Sequence, residues 1–228
     1  KALLGFARSC GLEVSELLTE ATDKGTWVMA RQLKQGDALI KLLPGLVEQA
    51  LNQLPIPKPM RWGDSPIEFV RPAHWLVLML GEQVVPAHIL GLTSGHTSRG
   101  HRFHAPQALE MGHPSEYADR LETQGYVIAD FAKRRELIRS QIARVADAFD
   151  ARPVIDEALL DEVTALNEWP NALAGRFDDA FLSVPAECLI SAMKGHQKFF
   201  HCLAPNGELM ARFITVSNIA SLNPASVV

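Results

Sequence analysis

The stretch Gly91 to His104, GLTSGHTSRGHRFH, is the part of the sequence whose residue types are most suited to chemistry with a ligand. No acidic residue stands between Glu82 and Glu110, yet the interval holds Arg99, Arg102 and the histidines His88, His96, His101 and His104. Arginine grips a phosphate through a bidentate fork, and histidine donates to it or stacks on a base, which suits an RNA backbone or a single-stranded end. The interspersed glycines allow close backbone approach. The plainer reading is a polar loop whose histidines cap turns and satisfy carbonyls, and spacing alone leaves both open.

A second cluster, Lys194-Gly195-His196-Gln197-Lys198, precedes Phe199 and Phe200 and combines cations with aromatics as single-strand platforms do. Its plainer reading has the lysines complementing a helix dipole and both phenylalanines in the core. Metal sets drawn from His96, His101 and His104, or from His196, His201 and Cys202, lack the spacing that fixes ligand geometry. Cys188 or a serine lacks a local hydrolase signature, and neither GxxxxGK[ST] nor GxGxxG occurs. No catalytic, cofactor-binding or metal residue is therefore assigned.

Composition narrows the frame. The 228 residues include 22 Lys and Arg against 26 Asp and Glu, a net charge of -4, with 47% hydrophobic and 21% charged residues. A pI near 6.1 and a mean hydropathy of +0.03 describe an ordinary globular chain, in which any polyanion contact is a local patch. Cys10, Cys188 and Cys202 cannot all pair and form no CxxC, which predicts a reducing compartment. The longest apolar run, Trp75 to Leu80, is far short of a membrane span, and a cytoplasmic protein is expected. The chain starts at Lys1 and ends on Ala225-Ser226-Val227-Val228, which suggests a piece of a longer polypeptide.

The elements that must position these residues follow from periodicity. Leu3, Leu4, Phe6 and Ala7 predict a helix ended by Gly11, and Trp27 to Leu33 predicts a strand. Asp37 is expected to cap a helix through Leu39, Leu42, Leu43, Leu46, Val47 and Leu51, kinked or split at Pro44. Proline at every second position from Pro55 to Pro59 predicts an extended connector and a boundary, giving segments 1–58 and 59–228. His74 to Leu80 and Val84 to Leu92 predict a buried hairpin around Gly81-Glu82-Gln83. Pro114 to Gly125 predicts a short helix, and Tyr126 to Ile128 a brief strand.

Asp130 to Asp150 places Phe131, Ile138, Ile142, Val145 and Phe149 on one face of a helix. Its basic face is diluted by Glu136, Asp147 and Asp150 and reads as solvated. Asp156 caps a helix through Leu159, Leu160, Val163 and Leu166. Pro185 opens another, with Ala186, Leu189, Ile190 and Met193 inward. Phe199 to Leu203 and Leu209 to Val216 flank Pro205-Asn206-Gly207-Glu208 as a hairpin. The fold class is α+β, with antiparallel sheets or a β-sandwich and packed helices.

A more specific signal comes from longer motifs. They are Lys58-Pro59-Met60-Arg61-Trp62-Gly63-Asp64, Phe69-Val70-Arg71-Pro72, Thr97-Ser98-Arg99-Gly100-His101-Arg102-Phe103, Leu160-Asp161-Glu162-Val163-Thr164, Glu168-Trp169-Pro170, Ile190 to Lys198, and Phe213 to Ile219. In this order they resemble the β-subunit family of bacterial heterotetrameric glycyl-tRNA synthetase, across nearly the whole chain. Gly195, where that family usually has an acidic residue, and Asn167, in place of an apolar one, depart from it.

The resemblance implies an N-terminal-half fragment of a subunit in an α2β2 enzyme that joins glycine to tRNA(Gly) at the expense of ATP, with magnesium. The class II catalytic core is then on the α subunit, and this chain serves tRNA recognition and assembly. The region is similar to the editing-type α+β domain of the phenylalanyl-tRNA synthetase β chain, so a deacylase and a purely structural docking module are the alternatives. From their charge and setting, the candidates for RNA contact are Arg99, His101 and Arg102 first, Lys194, His196 and Lys198 second, and Arg61 third.

Overall fold

The computed structural model describes residues 2–32 and 35–220. Lys1, Leu33, Lys34 and the terminal stretch 221–228, including Ala225 to Val228, lie outside the described residues. The chain divides into two compact units, Lys1–Val47 and Glu48–Val228.

In the first unit, α1 (Ala2–Cys10) ends where its sequence says it should. Gly11 is left-handed, its N–H donates to the Arg8 carbonyl at 3.1 Å, and Leu12 N–H donates to the Ala7 carbonyl at 2.9 Å. That paired closure satisfies carbonyls the helix leaves open. Next come β1 (Leu18–Thr22) and β2 (Gly25–Met29), an antiparallel hairpin in register from Leu18 opposite Met29 to Thr22 opposite Gly25. The strand expected at Trp27 to Leu33 thus starts earlier and ends at Met29, and its last expected residue, Leu33, is outside the described range. Its partner β1 has no apolar alternation, and all of its residues are exposed. Helix α2 (Leu39–Asn52), whose last residues belong to the second unit, passes through Pro44 unbroken, which corrects the expected split. Proline removes one N–H, the donor to the Ile40 carbonyl, and the flanking turns keep the rest.

The second unit opens with short strands. β3 (Met60–Arg61) pairs with β4 (Glu68–Phe69). The expected hairpin appears as β6 (Met79–Leu80) against β7 (Gln83–Val84), turning at Gly81, after β5 (Leu76–Val77). The second apolar run then folds back on itself: β8 (His88–Ile89) pairs with β9 (Leu92–Gly95) around left-handed Leu90 and Gly91. β9 also pairs parallel with β5. β10 (Thr97–Arg99) pairs with β11 (Ala108–Glu110), placing Arg99 opposite Ala108. Helix α3 (Tyr117–Thr123) follows, and the strand expected at Tyr126 to Ile128 is absent. Tyr126 is left-handed (φ 52°), and Val127 N–H is spent on the Leu121 carbonyl at 2.9 Å.

The largest core lies beyond. Asp130 accepts from Lys133 N–H at 2.9 Å and caps α4 (Phe131–Asp147); Asp156 accepts from Leu159 N–H at 2.9 Å and caps α5 (Glu157–Leu166). Both pack against an antiparallel sheet of order β12 (Arg152–Pro153), β14 (Phe200–Leu203), β15 (Leu209–Ser217), β13 (Asn171–Arg176). Ile138, Ile142, Ala146, Leu159, Leu160, Val163, Phe200, Cys202 and Ile214 form one cluster between these layers.

Helix α6 (Ala186–Ser191) passes into a π-helical turn, Ala192–Gln197, and stops at left-handed Lys198. Of its expected inward residues only Met193 is buried. The fold is α+β, with six α-helices among the described residues and small, mostly antiparallel sheets. Ile142→Ala empties a fully buried site between α4 and the sheet and is expected to cost about 2–5 kcal/mol, read as a lower denaturation midpoint with an unchanged m-value.

Candidate nucleic-acid interface

Four rings stand in sequence beside the arginine loop. His101 lies 4.7 Å from His104, His104 5.2 Å from Tyr126, and Tyr126 5.2 Å from Trp169 edge-on. His101 is 2% exposed, so the expectation that it meets RNA is corrected. Its Nδ1 accepts from the N–H groups of Phe103 at 3.2 Å and His104 at 3.3 Å, which leaves the proton on Nε2, 2.7 Å from the Asn218 carbonyl. Both ring nitrogens are spent inside the protein. The Asn218 side chain accepts from Glu168 N–H at 2.6 Å and Trp169 N–H at 3.0 Å, so one residue fixes the 101–104 loop and the 168–169 turn together.

The loop is also clamped from beneath. His101 N–H donates to the Gly125 carbonyl at 2.6 Å, and a Cβ placed on Gly100 would fall well inside van der Waals contact with that oxygen. Only glycine permits this approach. Beneath α4, Arg134 Nε donates to the Thr164 carbonyl at 3.0 Å and Nη1 to the Ile128 carbonyl, while burial lowers its pKa. This guanidinium is structural.

Arg99 and Arg102 are different. Both are exposed, and neither makes an ion pair among the described residues; Arg102 lies 5.7 Å over the ring of Phe103, which is 70% exposed. They line a cleft of about 570 Å³ with His74, Trp75, Pro106 and Glu168. The run His74 to Leu80 is expected from its sequence to be buried, yet Trp75 is 43% exposed and faces this cleft, and His74 is exposed beside it. Trp75 and Glu168 are site residues that periodicity passes over, although Glu168 sits in a motif.

Of the other basic candidates, Lys194, Lys198 and Arg61 each face a carboxylate. Lys194 Nζ donates to Asp156 Oδ2 at 2.5 Å, which together with the cap holds the Asp156 carboxyl below its ordinary value. Lys198 Nζ lies 2.9 Å from Glu162, and Arg61 lies 3.8 Å from Glu68. His196 is exposed at the π-turn, but Phe200 is buried and Phe199 stacks on Phe213 at 4.4 Å, so neither aromatic offers an open platform. The expected cation-aromatic site is therefore not assembled there.

His96 pairs with Glu110 at 2.8 Å and does not converge with His101 and His104. Burial pushes the Cys202 thiol up to about 11. No group of three His, Cys, Asp or Glu among the described residues is placed to hold a metal. No helix among them is long and apolar enough to cross a membrane.

A family profile described as glycyl-tRNA synthetase beta subunit matches residues 1–228. The chain belongs to that family. It is 55% identical over 228 residues to the glycine–tRNA ligase beta subunit of Chromohalobacter salexigens and 51% identical over 228 residues to that of Hahella chejuensis. It is 50% identical over 229 residues to that of Marinobacter nauticus. In each case all of this chain is covered and 33% of the relative, so it spans about a third of the length of these family members. The resemblance carried by the arginine loop, the Glu168-Trp169-Pro170 turn and the Phe213 to Ile219 segment corresponds to parts that meet in space, through His101 and Asn218.

Two measurements probe this arrangement. Gly100→Ala drives a Cβ into the Gly125 backbone and is expected to lower stability by about 1–3 kcal/mol in a denaturant titration. Separately, Asp156 and Glu157 both titrate below their ordinary values, Asp156 chiefly through Lys194 and Glu157 through Arg139 and Arg135. Their contribution is complete above the unfolded-state values and is lost as pH falls through the lower folded-state values. Asp156→Asn keeps a capping oxygen but removes the charge, so its thermal midpoint should fall less than that of the parent chain on acidification from about pH 5 to pH 3.

Proposed function

We propose that this chain is the tRNA-contacting, assembly-supporting region of a glycine–tRNA ligase β subunit, and that Arg99 and Arg102 meet the RNA backbone. The observation that carries the proposal is the contrast in compensation. Lys194, Lys198 and Arg61 face carboxylates, whereas Arg99 and Arg102 line an open cleft beside exposed Trp75 and Phe103 without an ion pair among the described residues. Unpaired guanidiniums beside open aromatic faces are what a nucleic-acid strand uses, with phosphate on the fork and bases on the rings. Family membership supports tRNA as the substrate class in this reading.

On the same reading the whole enzyme is an α2β2 heterotetramer of the cytoplasm. The catalytic centre on its α subunit attaches glycine to tRNA(Gly) using ATP with magnesium, and this region recognises tRNA and helps hold the subunits together. We also propose that this α+β fold is of the same kind as the editing-type domain of the phenylalanyl-tRNA synthetase β chain, a relation of architecture that leaves activity to be decided by the site.

The test is the double variant Arg99→Ala/Arg102→Ala in the full-length subunit, assembled with its α partner. Weaker tRNA binding is expected, with the slope of log K against log salt reduced by about two units, close to one for each phosphate no longer neutralised. An unchanged slope in a variant with parental thermal stability would overturn the assignment of these arginines.

A further inference from the structure

The cleft that holds Arg99 and Arg102 also holds the opposite charge. Glu168 lines it, is exposed, and makes no ion pair among the described residues. Its backbone is fixed at both ends: the N–H donates to Asn218 Oδ1 at 2.6 Å, and the carbonyl accepts from Ile128 N–H at 3.0 Å. The carboxylate is thus carried on a rigid turn without an ion pair among the described residues, although its charge is felt by the Arg134 guanidinium. Arg99 is held by the β10–β11 ladder, where it stands opposite Ala108. Trp75 supplies exposed aromatic surface, its ring centroid 6.3 Å from that of His74. The volume of about 570 Å³ falls within the range of small-ligand sites, roughly 300–1,000 Å³.

A ligand that uses every one of these groups needs an anion for the guanidiniums, a flat ring for Trp75 and adjacent N–H donors for the carboxylate. An unpaired nucleotide offers the first two whatever its base. The third discriminates among bases. Guanine alone presents two neighbouring donors, N1–H and the N2 amino group, which match the two oxygens of a carboxylate. Adenine and cytosine place an acceptor beside their amino group, and uracil flanks its single N–H with carbonyls, so each turns a lone pair toward Glu168.

We infer that the cleft takes a single unpaired guanine nucleotide of an RNA strand, stacked on Trp75, with its N1–N2 edge on Glu168 and its phosphate on Arg99 and Arg102. This rests on the RNA-contact reading of the two arginines and adds the base to it. Inosine, which keeps N1–H and lacks the N2 amine, should lose about tenfold in affinity.

The experiment uses the full-length subunit in complex with its α partner and fluorescein-labelled heptamers of uridine carrying G, inosine, A or C at the centre, followed by anisotropy. The parent complex should bind the guanine heptamer about tenfold more tightly than the other three. Glu168→Gln should erase that preference, by weakening the guanine heptamer while the remaining heptamers bind as tightly as before or more tightly, since the amide no longer opposes their lone pairs. Trp75→Ala should weaken all four by roughly tenfold, and Trp75→Phe should restore most of the loss.

A guanine preference that survives Glu168→Gln, or no preference in the parent complex, overturns the inference. If the Arg99→Ala/Arg102→Ala variant still shows the reduced salt slope in that event, the RNA-contact reading stands without it; an unchanged slope removes both.

Discussion

The arrangement depends on one hydrogen bond, from His101 Nε2–H to the Asn218 carbonyl, 2.7 Å across a sequence separation of 117 residues. A buried imidazole carries a desolvation cost unless both nitrogens are satisfied. Here the Asn218 carbonyl takes the proton, and the other nitrogen accepts the N–H groups of Phe103 and His104. The loop around Arg102 therefore has its conformation dictated by the end of β15, and the same Asn218 dictates the turn that carries Glu168. Two segments with opposite charges are set by one residue, and the distance between them is a property of the fold. The close approach of Gly100 to Gly125 reinforces the bond from the opposite side of the loop.

Charge compensation does the sorting among surface cations. Lys194 and Lys198 belong to a frame that ties the π-helical turn to α5, through Asp156 and Glu162. Arg135 and Arg139 reach the same helix through Asp161 and Glu157 and tie α4 to it. Exposed pairs of this kind contribute little to stability singly, but each removes a cation from the field a polyanion would feel. What is left in the neighbourhood of the cleft is the pair of arginines that the acid-free stretch contains.

The parts of this that are legible in the sequence are those decided locally. Helix α4 follows from its apolar spacing and Asp130, α5 from Asp156, and the β14–β15 hairpin from Pro205-Asn206-Gly207-Glu208. β13 is not legible: Asn171 to Arg176 contains no β-branched or aromatic residue and is a strand because it pairs along its length with β15. The site divides in the same way. The absence of acids around Arg99 and Arg102 is visible in a line of text. The burial of His101 depends on a carbonyl 117 residues away, and the neutralisation of Lys194 on a carboxylate 38 residues away. Trp75 heads an apolar run, so periodicity assigns it to the core, although it is half open to solvent.

A net charge of -4 and a family name that includes tRNA are compatible once the field is treated as local. Two phosphate contacts contribute a salt slope of only about two units, too little to hold a whole tRNA at physiological ionic strength. On the proposed reading the region therefore contributes register more than affinity. Rigid backbone on both sides of the cleft suits that role, because orienting a strand requires groups whose positions do not yield when it arrives, and ordering entropy already met in folding is not met again on binding. The surplus of four acids over bases in the chain works in the same direction, because it disfavours non-specific attachment of a polyanion.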